Sequence, residues 1–294
     1  MMYSLDYAHP SVSMLYFLSV MLITMFTKNP IFLILAFMGG ICFLATKEKK
    51  TVLKRSIVFY ILIFVLVSLT NPLFSHNGET SLFFINNNPV TLEAFIYGMN
   101  LGVMLIAVIC WFGCFNKVMT TDKLLFLFGR ISPKLSLLVS AALRFIPLFK
   151  QQAGKIRQAG IAMGLYTTES WFDRLRATMR VYSSLVTWSL ENAIDTGASM
   201  KARGYGLKGR SRFSVFKFSR KDFFMLVFVS VADIVVVTIM VTGALNFEFY
   251  PKLTEIKTGC LQLVAYVIFG IISFMPIILE FKESIQWKYY RSKI

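Results

Sequence analysis

Histidine is almost missing from this 294-residue chain, which has only His9 and His76, and cysteine numbers four. Neither a Ser/His/Asp nor a Cys/His catalytic set can be argued from two histidines lying outside the helical segments. With Cys42, Cys110, Cys114 and Cys260 they cannot assemble a zinc site either. All four cysteines sit in or beside apolar runs, where a thiol behaves as a small hydrophobe. A G-x-x-x-x-G-K-[ST] loop is absent, so the chain does not bind ATP by that means. Acids are scarce, 15 against 31 Lys and Arg, and they are not clustered for paired-carboxylate chemistry. The expectation is a non-enzyme with no cofactor or metal of its own.

What the chain has in excess is apolar surface. Its residues are 56% hydrophobic, Phe alone numbers 29, and the mean hydropathy is +0.64. No soluble domain of this size has an interior large enough to hide that. Runs free of Asp, Glu, Lys and Arg cover Asn29–Thr46, Ser56–His76, Ala94–Asn116 and Thr258–Leu279. Each approaches or exceeds the roughly 18–20 residues that a helix needs to cross hydrocarbon. Met1–Thr27, broken only by Asp6, and Phe223–Phe247, carrying Asp233, bring the number of spans to about six. The predicted fold is an all-α polytopic membrane protein. Its first span lacks a basic leader and a cleavage site, so it is expected to be retained.

Cations set the orientation. Five lie in Lys47–Arg55, nineteen in the block Asn116–Lys221 and four in the tail (Lys282, Lys288, Arg291, Lys293). If the chain crosses at every span, these share one side, and only Lys28, Lys252 and Lys257 face the other. Lys/Arg-rich loops are cytosolic, so both termini and the block are expected in the cytosol. Anionic lipid is the simplest partner for the charge, at about 1 kcal/mol per cation near the headgroups. Nucleic acid is not expected, because aromatic interleaving and a reader motif are missing.

The boundaries predicted are residues 1–115 for four spans, 116–221 for a cationic helical module, and 222–294 for two closing spans with a basic tail. Within the first region the segment Ser75–Glu93, rich in Asn, Gly and Pro, is expected to be irregular. Gly98 and Gly102 form a G-x-x-x-G that admits a close helix neighbour, either within the chain or on a second membrane protein. In the module, Ser132-Pro133 reads as an N-cap with proline in the first turn. The helix it opens runs to about Gly164, with a kink expected at Pro147. A second long helix runs from about Ser170 to Arg203. Leu175, Met179, Tyr182, Val186, Ala193, Gly197 and Met200 recur along it at spacings of three, four and seven, which predicts a buried stripe. Ala193 and Gly197 would permit a close helix crossing, and Gly204 is the expected C-cap. Asp233, mid-span, is either satisfied by a polar neighbour such as Asn100 or a hydroxyl, or is a functional intramembrane carboxylate.

Three features together resemble the T component, the transmembrane coupling subunit, of energy-coupling-factor vitamin transporters (the cobalt-transport permease family). One is the segment Ala142, Leu143, Arg144, Phe145, Ile146, Pro147, Leu148. Another is Ala198 to Tyr205, whose Ala202-Arg203-Gly204 matches the family's Ala-Arg-Gly signature. The third is their separation within a basic helical block. The family carries two such signatures; the place of the first reads Ala162-Met163-Gly164 here, with methionine where arginine is expected. Either that site docks by packing alone, or Arg157 or Lys155 supplies a displaced charge.

The resemblance implies that both helix ends dock on two ABC ATPase subunits that bind ATP and Mg. It also implies that an apolar face of the module holds a small membrane-embedded substrate-binding S subunit, for uptake of a vitamin or metal ion across a prokaryotic plasma membrane. Two other classes remain open. A self-sufficient secondary transporter would use Asp233, although no inverted repeat or paired broken helices support it. A structural or insertase-like scaffold would undergo no nucleotide-dependent change.

Overall fold

A computed structural model describes residues 5–48, 50–75, 78–85, 88–164, 170–207, 216–255 and 259–291. The start of the first span, His76, Lys257, Lys293, Glu169 and the cations Lys208, Arg210 and Arg212 lie outside the described residues. The chain divides into two compact units, Met1–Leu124 with Phe216–Ile294, and Leu125–Val215.

Apolar runs and their punctuation determine the helices of the first unit. Helix α1 (Pro10–Phe26) and α2 (Pro30–Lys47) both open with proline in the first turn, where its missing N–H and fixed φ cost nothing. The N-caps His9 and Asn29 accept side-chain bonds from Ser11 N–H and Ile31 N–H. Next come α3 (Lys50–Phe74), a short hairpin of β1 (Ser81–Ile85) and β2 (Asn88–Thr91), and α4 (Leu92–Val118). Helix α5 (Thr121–Ile131) runs from the first unit into the second. The second unit holds α6 (Pro133–Ala162) and α7 (Trp171–Ala202), and the chain then returns to the first through α8 (Arg220–Val241) and α9 (Cys260–Arg291). Helices α2, α3, α4, α8 and α9 are long and apolar enough to cross a bilayer, and α1 is a shorter apolar helix of 17 residues.

In the first unit α4 packs on α1, α2 and α3; α2 packs on α9, α9 on α8, and α8 on α1. This closes a ring of five helices around Tyr16, Phe17, Phe43, Trp111 and Ile272, all fully buried. Two of these side chains tie helices together through backbone carbonyls. Tyr16 Oη donates to Ile272 O at 2.9 Å, and Trp111 Nε1 donates to Ala36 O at 2.9 Å. Helix α3 stands against α4 and exposes Val58, Phe59, Leu62 and Leu66. An outward apolar face of this kind suits hydrocarbon, where the helix satisfies its own backbone.

Helix ends sort by charge. At one end Lys47 is held between Asp6 and Glu280, Lys117 meets Glu48 at 2.6 Å, and Lys123 Nζ donates to Leu5 O at 3.4 Å. Asp222, which completes a capping box with Ser219, accepts from His9 N–H at 3.0 Å at the same end. Burial pulls the Lys123 ammonium below the ordinary lysine pKa. The opposite end holds Lys28, whose carbonyl accepts from Asn100, and Lys252, paired with Glu79 at 2.8 Å. The helices therefore alternate in direction.

One expectation about this unit is corrected. Part of Ser75–Glu93 is ordered as the antiparallel hairpin, with Ser81 opposite Thr91 and Ile85 opposite Asn88. The Asn, Gly and Pro content hid the aromatic and β-branched residues of Leu82–Ile85 and Val90–Thr91, which favour strands. Glu93 fastens the hairpin's base by accepting from Thr80 Oγ1 at 2.7 Å.

The G-x-x-x-G is used inside the chain. A Cβ on Gly98 would stand 2.7 Å from Ser68 O, and one on Gly102 would stand 2.9 Å from Phe64 Cδ2, both on α3. Gly39 is equally tight, with Ser273 O of α9 at 2.8 Å. Gly39→Ala is accordingly expected to cost about 1–3 kcal/mol and to lower the thermal midpoint in detergent. Gly154→Ala on α6, with nothing within 4 Å, should not lower it.

Candidate docking ends of the cationic hairpin

Helices α6 and α7 form the body of the second unit. The residues between them, 163–170, reach at most about 28 Å, whereas α6 is about 45 Å long. The two helices must therefore run antiparallel. Gly160 and Ala177 are the buried residues of α6 and α7. Further along, Phe145 stacks on Phe149 at 5.9 Å, and Phe149 meets Trp188 edge-on at 5.7 Å. These rings brace the pair. Helix α6 continues through Pro147, whose missing N–H leaves the Leu143 carbonyl without its helical donor. Of the motif residues on α6, Leu143, Arg144 and Pro147 are exposed, while Phe145 is half-buried in the aromatic brace. Ser132 and Ser170 occupy N-cap positions without a side-chain capping bond.

Most of the stripe predicted on α7 as buried is exposed instead, with Gly197 and Met200 half-buried. Leu175, Met179, Tyr182 and Val186 are 40–66% exposed, and Leu190 and Ile194 join them. Helix α6 packs against the other side of α7, where Ala177, Val181, Leu185 and Trp188 are shielded. Helix α7 thus has two apolar faces, and the intact periodicity could not say which would be covered. Gly197 likewise has no neighbour within 4 Å, so no helix crosses there among the described residues.

The two signature triplets end their helices in the same way. Met163 caps α6 at φ −83° and ψ 4°, followed by Gly164 at φ +76°. Arg203 caps α7 at φ −81° and ψ 10°, followed by Gly204 at φ +78°. Gly164 N–H donates to Ile161 O and Gly204 N–H to Lys201 O, both at 3.0 Å. Tyr205 N–H also donates to Met200 O at 3.0 Å, completing a Schellman cap around a left-handed glycine. Ala162, Met163 and Gly164 are exposed, as are Ala202 and Arg203, while Gly204 is half-buried. Because the helices are antiparallel, the two caps sit at opposite ends of the pair.

The resemblance matches Ala162-Met163-Gly164 to Ala202-Arg203-Gly204; the backbone angles add that the two triplets end their helices in one conformation. The Phe145–Phe149–Trp188 brace was missed altogether, although Phe145 and Phe149 lie four apart on one face.

Asp233, on α8 in the first unit, is half-buried. The Ser19 hydroxyl of α1 lies beside its carboxylate but donates to Tyr16 O at 3.0 Å, and Asp233 Oδ1 has no partner among the described residues. Asn100 is not the neighbour, since its amide is committed to Lys28 O at 3.0 Å. Ser19 on the adjacent helix, not Asn100, is its hydroxyl neighbour.

Comparison with known proteins gives a consistent result. The family model described as CbiQ, cobalt transport protein, matches residues 4–215. An energy-coupling factor transporter transmembrane protein from Listeria innocua is 35% identical over 100 residues, 33% of this chain and 38% of that protein. A protein of the same name from Bacillus selenitireducens is 27% identical over 218 residues, 69% of this chain and 81% of its own length. One from Lactobacillus helveticus is 32% identical over 97 residues, 32% of this chain and 35% of that protein. This chain thus matches well under half of the Listeria and Lactobacillus proteins and about four fifths of the Bacillus one.

A β-carbon at a left-handed position costs about 1–2 kcal/mol. Gly204→Ala should therefore speed amide hydrogen exchange at Gly204 and Tyr205 by about 5- to 30-fold without altering the α6 cap. Asp233→Asn should leave the thermal midpoint in detergent unchanged or raised, because it removes an ionisable oxygen that lacks a partner.

Proposed function

The chain belongs to the CbiQ cobalt transport protein family, and from that premise we propose that it is the transmembrane coupling subunit of an energy-coupling-factor importer. It docks on two ABC ATPase subunits, which bind the ATP and Mg. It passes their motion to a small substrate-binding S subunit that takes up a vitamin or metal ion. The observation that carries this reading is the pair of matching, exposed helix caps at opposite ends of one long antiparallel hairpin.

Each part of the hairpin then has a physical task. Arg203 follows the last turn of α7, where the helix dipole favours a cation. Entering a groove, its guanidinium meets an acid away from water. Helices of about 45–48 Å are stiff enough to carry closure of the ATPase pair as rigid-body motion. The exposed stripe of Leu175, Met179, Tyr182 and Val186 receives the S subunit. The cationic end of the membrane unit faces the cytosol of a prokaryotic cell, with Lys and Arg against anionic headgroups. The chain itself performs no chemistry.

Arg203→Glu tests the docking role. Removing one partner of a buried pair leaves the other charge stranded at a cost of about 3–5 kcal/mol. Recovery of the ATPases on the tagged, membrane-extracted chain should fall by more than about tenfold, while the amount of folded chain in the membrane is unchanged. Full retention of the ATPases by this variant would falsify the assignment.

A further inference from the structure

Met163 and Arg203 occupy the same position in two nearly superposable caps, with φ differing by 2° and the following glycine φ also by 2°. Their surroundings differ in charge, one cationic and the other neutral. At the α7 end, Lys201 lies in the last turn and Arg203 is the cap that follows it, and Leu207 beyond them is 72% exposed. The α6 end has no charged residue from Gln158 to Gly164, and Met163 is 72% and Ile161 55% exposed. Arg157 is not a stand-in. Six residues before Met163, it lies about 9 Å back along the axis and about 120° around it. Lys155 is a further half-turn away.

We propose that the Met163 cap is a neutral, apolar docking contact, received by a groove that presents no acid. The proposal rests on the docking role argued above and supplies the chemistry of its second contact. A groove built to pair its carboxylate with Arg203 would, on closing over Met163, trap that carboxylate without a partner. A groove lined by apolar side chains gains from the same closure, and an unbranched thioether adapts to its shape. The hairpin therefore holds its partners by charge at one end and by packing at the other. A cation at position 163 is harmful rather than restorative.

A photo-crosslinking residue placed at Ile161, and separately at Leu207, tests this in the assembled membrane complex. Ile161 should trap an ATPase in the otherwise unaltered chain and in Met163→Leu. In Met163→Arg that product should fall about tenfold or more, while the Leu207 product persists and shows that the chain is folded and still docked at its other end. An Ile161 product retained or increased in Met163→Arg would mean that an acidic groove waits there, overturning the proposal. No product from Ile161 beside a strong one from Leu207 would mean that this end is undocked, and would overturn it too. Absence of an ATPase product from both positions would remove the coupling role itself.

Discussion

Helices in hydrocarbon gain nothing from hiding apolar surface against one another, so their association depends on how closely their backbones approach. In the membrane unit that approach is set by glycine. Gly39 lies against the Ser273 carbonyl, Gly98 against the Ser68 carbonyl and Gly102 against the Phe64 ring. These contacts fix α2 on α9 and α4 on α3. Trp111 and Tyr16 donate to carbonyls across two further helix pairs, α4 to α2 and α1 to α9. Ion pairs at Lys47 and Lys117 then hold helix ends where the chain leaves the apolar region. The unit is complete in itself, with a closed ring and an outward face of Phe, Leu, Ile and Val.

The α6–α7 pair is built on the opposite plan. Its helices bury little beyond Gly160 and Ala177 and are braced by three aromatic rings. A second apolar face on α7 and two capped helix ends are left uncovered. Long helices with their side faces and tips exposed suit a part that works by contact with other proteins, as the proposed coupling role requires. The caps also separate backbone from side chain. Left-handed glycines hold both ends in one shape, so position 163 or 203 can change its chemistry without changing its geometry.

Much of this could be read before any coordinates. Uncharged runs located the apolar helices because the bilayer sets a minimum length. They did so within two residues at both ends for α2 and α4 but not for α1, α3, α8 and α9, each of which differs at one end by six to twelve. Ser132-Pro133 and Gly204 marked ends of the long helices because backbone angles there are locally determined. The Ser75–Glu93 segment was misread because its turn-forming residues outweighed a five-residue strand whose partner begins three positions further on. The α7 stripe was misread for a related reason. Periodicity gives the direction of an apolar face, but burial depends on a second surface. Asp233 was recognised as unusual, yet its neighbour was not, since Ser19 lies more than two hundred residues earlier in the chain.

The sequence by itself determined the solvent of this protein, the existence of its long apolar helices and the residues available at each tip, because those follow from local composition and from the length of uncharged runs. Tertiary structure alone decided which glycines touch a backbone, which of the two faces of α7 stays open, and that the Met163 and Arg203 caps share one backbone shape. Those outcomes depend on distances between segments remote in the chain and on backbone angles, and neither is encoded in the order of residues at any single site.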